Sequence, residues 1–86
     1  MNITYTIARY GKVNDLEFLV AFNMVSDNED SAYVESMLSM QEIEGKTSQE
    51  VCQLAFSKIK TKIESIKAQF EANAQSIVGY QFVPQE

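Results

Sequence analysis

Between Thr47 and Asn73 the chain carries one long amphipathic stretch, 27 of its 86 residues. Its apolar positions are Cys52, Ala55, Ile59, Ile63, Ile66 and Phe70. Spacings of three and four fall on one face only in a helix. Thr47-Ser48-Gln49-Glu50 is a capping box that sets the start: the threonine hydroxyl accepts the Glu50 amide, and the Glu50 carboxylate reaches back to the Thr47 amide. A helix of this length runs about 40 Å. A compact chain of this size is roughly 31 Å across, and an eight-residue strand spans about 26 Å. The stripe therefore predicts a helix that overhangs its sheet by about 10 Å. Covering of Ile66 and Phe70 by a second copy is the favoured resolution, against an early end near Ala72-Asn73-Ala74 or a kink.

The rest of the chain reads as strands. Ile3, Tyr5 and Ile7 alternate with Thr4, Thr6 and Ala8, a period of two with β-branched and aromatic residues. The interval Gly11–Asp15 is turn chemistry, so a hairpin follows. Leu16–Val25 is apolar on both faces, with Phe18, Val20, Phe22 and Met24 against Leu19, Ala21 and Val25. Such a strand is central, or has one face covered by another molecule. After the loop Ser26–Ser31, a third strand is expected over Ala32–Ile43. Ile77–Val83, closed by Pro84, reads as a fourth that suits an edge. Lys67 and Glu71, four apart, are within reach of each other on the solvent side of the helix, in the weaker orientation that contributes little. The expected architecture is a single α+β domain over 1–86 in the order β-β-β-α-β: a three-stranded antiparallel meander, one long helix on one sheet face, and a C-terminal strand parallel to the first and third.

Composition narrows the chemistry. There is no histidine, which removes the commonest general acid/base, the usual zinc ligand and every histidine-activated nucleophile. The lone Cys52 permits no internal disulfide and suits a reducing, cytoplasmic compartment. It lies on the apolar stripe and is read as a core residue. The start Met1-Asn2-Ile3-Thr4-Tyr5 has no signal-peptide pattern, and the longest apolar run, Phe18–Phe22, is far short of the roughly 20 residues of a membrane span. A net charge of −5 disfavours nucleic acid and anionic membranes as partners. The acids are concentrated: Val13–Gly45 holds eight and no cation, while Lys58, Lys60, Lys62 and Lys67 follow on the helix.

The loop Asp27-Asn28-Glu29-Asp30-Ser31 fails as a calcium loop, because Ala32 and Leu38 stand where glycine and glutamate are required. Arg9-Tyr10-Gly11-Lys12 at the expected hairpin tip is read as solvated charge, and Glu17, Glu35, Glu42 and Glu44 as surface. No catalytic, cofactor-binding or metal-binding residue is expected, and the chain is read as no enzyme. In organisation it resembles the small uncharacterised proteins of phage and prophage genomes, through the strand–Gly45-Lys46-Thr47–helix arrangement and the short strand-plus-proline tail. That resemblance implies a virion-associated or host-modulating accessory role. Gly45-Lys46-Thr47 is no phosphate loop, since the upstream glycine is replaced by Met40. The expectation is a non-catalytic interaction or assembly module that forms a homo-oligomer, most simply a dimer. Its candidate interface is Ile66, Phe70, Val78, Tyr80 and Phe82. The alternative is an acidic inhibitor that presents carboxylates to a basic site on a nucleic-acid-handling protein.

Overall fold

The computed structural model describes residues 2–74, 81 and 83–85. Three strands, β1 (Ile3–Lys12), β2 (Glu17–Ser26) and β3 (Ser31–Ser39), form an antiparallel sheet in the order β1-β2-β3. Two helices follow, α1 (Ser48–Lys58) and α2 (Lys60–Ala74). The α+β class and the meander are as expected.

Each connection is closed by local chemistry. In the first hairpin Asn14 Oδ1 accepts from the amides of Leu16 and Glu17, at 2.8 and 2.9 Å, an Asx turn. The polar interval thus begins two residues later than expected, and Arg9–Lys12 belongs to β1 rather than to a hairpin tip. In the second, Ser26 Oγ accepts from the amides of Asn28 and Asp30, and Glu29 takes the left-handed region at φ 68°. β3 stops four residues before the expected end. Ser39 and Glu42 bond reciprocally there: the Glu42 carboxylate accepts the Ser39 amide at 2.6 Å and Ser39 Oγ accepts the Glu42 amide at 3.1 Å. This is the geometry of a capping box, and it turns the chain through 40–45. Gly45, at φ 77°, completes the reversal, and the Thr47/Glu50 box then starts α1 as expected.

β1 is not a uniform alternator. Ile7 pairs with Phe22 and Arg9 with Ala21, so Ala8 is an extra residue, a β-bulge. Simple alternation puts Arg9 on the face of Ile3, Tyr5 and Ile7. The bulge exchanges the faces, turning Arg9 away and bringing Tyr10 into line with Val20, a core residue.

The single long helix is replaced by two. Ile59, at φ −111° and ψ 24°, closes α1, and its amide bonds the Phe56 carbonyl at 3.2 Å, a tighter closure than the helical pattern. Half a turn earlier Ser57 Oγ donates to the Gln53 carbonyl at 2.9 Å, a back-bond that bends helices. The segments are about 16 and 22 Å long, both shorter than strands of about 30 Å. The break therefore lets the apolar stripe stay on the sheet. Val51, Ala55, Ile63 and Phe70 are buried with Phe18, Val20, Phe22, Met24, Val34 and Leu38 in one core. Lys67 meets Glu64 at 3.9 Å, rather than Glu71. The fourth strand expected over Ile77–Val83 lies largely outside the described residues; Gln81 and Val83 are described, and neither belongs to a strand.

Candidate interaction surface

The core is off-centre on its sheet, and that offset creates the site. β2 is buried from Phe18 to Phe22, and β3 contributes Val34 and Leu38 and runs closest to α1. β1 lies on the other side, beyond the helices. Its residues on the core face, Tyr5, Ile7 and Tyr10, remain 38%, 48% and 45% exposed. They are ordered by aromatic packing. The Tyr5 ring tilts against Phe56 with centroids 5.1 Å apart, and Phe56 against Phe22 at 5.6 Å. Tyr10 stands edge-on to Phe18 at 4.8 Å. Offset and edge-to-face pairs of this kind fix ring orientation as well as adding contact energy.

Between β1 and α1 these side chains line an open groove of about 550 Å³ with Phe22, Cys52 and Phe56, rimmed by Ser48, Gln49 and Gln53. A smaller cavity that shares Tyr5, Gln53 and Phe56 runs along α2 past Ile63, Glu64 and Lys67. The ionisable groups of the main groove are two tyrosines and one thiol. Burial pushes the Cys52 thiol up, so it is protonated at neutral pH and is a poor nucleophile. The groove has the chemistry to bind apolar and aromatic surface. Its outer flank is the free edge of β1: among the described residues no strand pairs with it.

The opposite sheet face is different. Leu19 and Ala21 are buried there although no further layer of described residues covers them. Ala21 lies between Arg9 on β1 and Glu35 on β3, and Tyr33 interacts with both of those side chains. The Tyr33 hydroxyl donates to Glu35 Oε2 at 2.8 Å, and that bond holds its pKa above the ordinary value, with Arg9 pulling the other way. β2 is thus apolar on both faces because it is central, the first of the two explanations above.

The acids are largely engaged within the chain. Lys58 Nζ donates to Glu42 at 2.8 Å, and that bond, with the Ser39 amide, lowers the Glu42 pKa. The Thr47 amide lowers that of Glu50. Asp27 accepts from the Asn2 amide, Asp30 from Asn73, and Glu17 from Asn14. Among the described residues no three acidic or thiol groups converge as a metal site.

Of the residues first considered for the interface, Phe70 is 5% exposed and part of the core, and Ile66 is half-buried against it. Val78, Tyr80 and Phe82 lie outside the described residues. Exposed large apolar side chains lie instead at Tyr5, Ile7 and Tyr10 on β1, at Val13 and Leu16 in the first turn, at Val25, Tyr33 and Met37 on the opposite sheet face, and at Val83. The signal of the β1 group in sequence was the aromatic pair Tyr5/Tyr10 on the first strand, the end of a meander and therefore an edge. Among the described residues no helix is long and apolar enough to cross a membrane. Comparison with known proteins finds no matching family model, curated protein or solved structure.

Proposed function

We propose that this chain is a small, non-catalytic, cytoplasmic protein-interaction module that self-associates through the β1 side of its sheet. One observation carries this reading: the three large exposed side chains of the core face, Tyr5, Ile7 and Tyr10, sit together on a strand whose outer edge is paired by no other strand among the described residues. An edge of this kind presents unpaired amides and carbonyls and templates another strand, while the groove beside it supplies apolar contact. Ile66 and Phe70 serve the surface indirectly, by holding α2 on the sheet. The reading as an acidic inhibitor draws less support, because Glu17, Asp27, Asp30, Glu42 and Glu50 already bond within the chain.

Sedimentation equilibrium across micromolar concentrations tests this. The wild type is expected to exceed monomer mass. Ile7→Lys, at a half-exposed site, is expected to return it to monomer with an unchanged circular dichroism spectrum. A wild type that stays monomeric throughout sinks the reading.

A further inference from the structure

We propose that the partner of β1 is β1 of a second copy, paired antiparallel about a two-fold axis that passes between Ile7 and Ala8, perpendicular to the sheet. This rests on the self-association reading above and specifies its register. Residues directly opposite in an antiparallel pair must share a face, and a slip of one residue exchanges the faces. A regular ten-residue strand cannot satisfy this with its own copy at full overlap, because each residue then meets one of the opposite face. The bulge changes the parity. On the groove face β1 carries Ile3, Tyr5, Ile7, Tyr10 and Lys12; on the other it carries Thr4, Thr6, Arg9 and Gly11. Rotation about the midpoint brings Ile3 onto Lys12, Tyr5 onto Tyr10, Thr4 onto Gly11 and Thr6 onto Arg9, and every one keeps its face.

Two further arguments favour this occupant, and a third sets its strength. The first is charge: Arg9 meets Thr6 and Lys12 meets Ile3, so no like charges oppose. On β3, the other open edge, the midpoint is Glu35. The same operation there sets Glu35 against its own copy, a destabilising pair. The second is the bulge: it blunts an edge against other strands, and at this register each copy sets its bulge against the other's, a partner strand with the same irregularity. The third is area. A ten-residue edge is about 33 Å long and about 10 Å deep. Two copies of that edge bury roughly 660 Å², to which the tyrosine flanks add, and this sets the pair among the weaker, transient interfaces. The result is a six-stranded sheet whose two grooves merge over four tyrosines.

The test mixes full-length single-cysteine variants in a Cys52→Ala background and bridges them with a short bismaleimide. Thr6→Cys with Arg9→Cys is the predicted facing pair, and Thr4→Cys with Thr6→Cys the control. Cross-linked heterodimer is expected at least tenfold more abundant for the first pair. Light scattering on the same samples separates the failures. A dimer that cross-links equally in both mixtures overturns the register and leaves self-association standing. A monomer overturns both, and places solvent or the chain's own segment 77–83 at the edge. Mass that grows without limit with concentration indicates head-to-tail β1–β3 pairing and overturns the two-fold. Mixed-label NMR on the wild type provides a second readout, the intermolecular Tyr5–Tyr10 contact, should a cysteine variant misfold.

Discussion

Two buried serines make opposite predictions for one substitution. Ser26 is 4% exposed and Ser36 is 2% exposed, so burial does not distinguish them. Their hydroxyls do. Ser26 Oγ accepts two backbone amides, from Asn28 at 3.2 Å and Asp30 at 3.1 Å. Ser36 Oγ is buried without a hydrogen-bond partner among the described residues, and its strand neighbour across β2 is Val20, which is fully buried. A hydrogen bond contributes about 0.5–1.5 kcal/mol net, whereas an orphaned buried polar group costs about 1–3 kcal/mol. Ser26→Ala should therefore destabilise by about 1–2 kcal/mol. Ser36→Ala should stabilise by about 1 kcal/mol, the low end because alanine is a weaker strand former. For a domain of this size 1 kcal/mol moves Tm by about 4–8 °C. The assay is urea unfolding of both variants, with an unchanged m-value confirming that the denatured state is the same, alongside calorimetry. Stability changes of the same sign would refute the reasoning. A loss above about 0.5 kcal/mol in Ser36→Ala would show that its hydroxyl is satisfied.

Other expectations follow from the same packing. Phe70→Ala should cost about 3–5 kcal/mol by opening a cavity in the core, with the half-buried Ile66→Ala costing clearly less; if the two are equal in chemical denaturation, α2 is not held as described. Thr47→Ala should lower stability by about 1 kcal/mol through loss of the cap, read as reduced helicity and an earlier urea midpoint. The carboxyl pKa values of Glu42 and Glu50 are lower folded than unfolded. Their contribution is therefore present above the ordinary carboxylate range and is lost as pH falls through the depressed folded values; Glu50→Gln should flatten the fall of the urea midpoint as pH drops through and below the ordinary carboxylate range, and an unaltered pH profile would count against the cap. The Cys52 thiol, raised by burial, should react with a disulfide reagent more slowly in the native protein than in urea, and equal rates would contradict its placement.

Much of the architecture is legible in the residues, and the departures have local causes. Alternation in Ile3–Ile7 marks a strand and the two-sided apolarity of Leu16–Val25 a central one, because side-chain direction is set by the pleat. The Thr47/Glu50 box is legible because it needs only two side chains three apart. The same spacing at Ser39/Glu42 ends β3, but Met40 and Ile43 prolong the apolar pattern across it and mask the signal. The bulge at Ala8 has no such signal: it is decided by β2, whose Val20 and Ala21 place Tyr10 towards the core and Arg9 away from it. Likewise the end of α1 coincides with one serine back-bond, Ser57 to the Gln53 carbonyl, that periodicity does not announce. With the helix unbroken, the overhang argument put exposed apolar surface at Ile66 and Phe70. With it broken, the exposed apolar surface of the core face is carried by Tyr5, Ile7 and Tyr10.

The meander has a kinetic consequence. Each strand pairs only with its neighbour in sequence, and both hairpins are closed by side chains within their own turns, Asn14 in one and Ser26 in the other. Loop closure in the sheet is therefore short, and the entropy lost before contacts form is small. A chain with such near-neighbour pairing should fold on the order of milliseconds. The sheet can assemble before the helices arrive, and β1 then waits at its margin with its edge already formed.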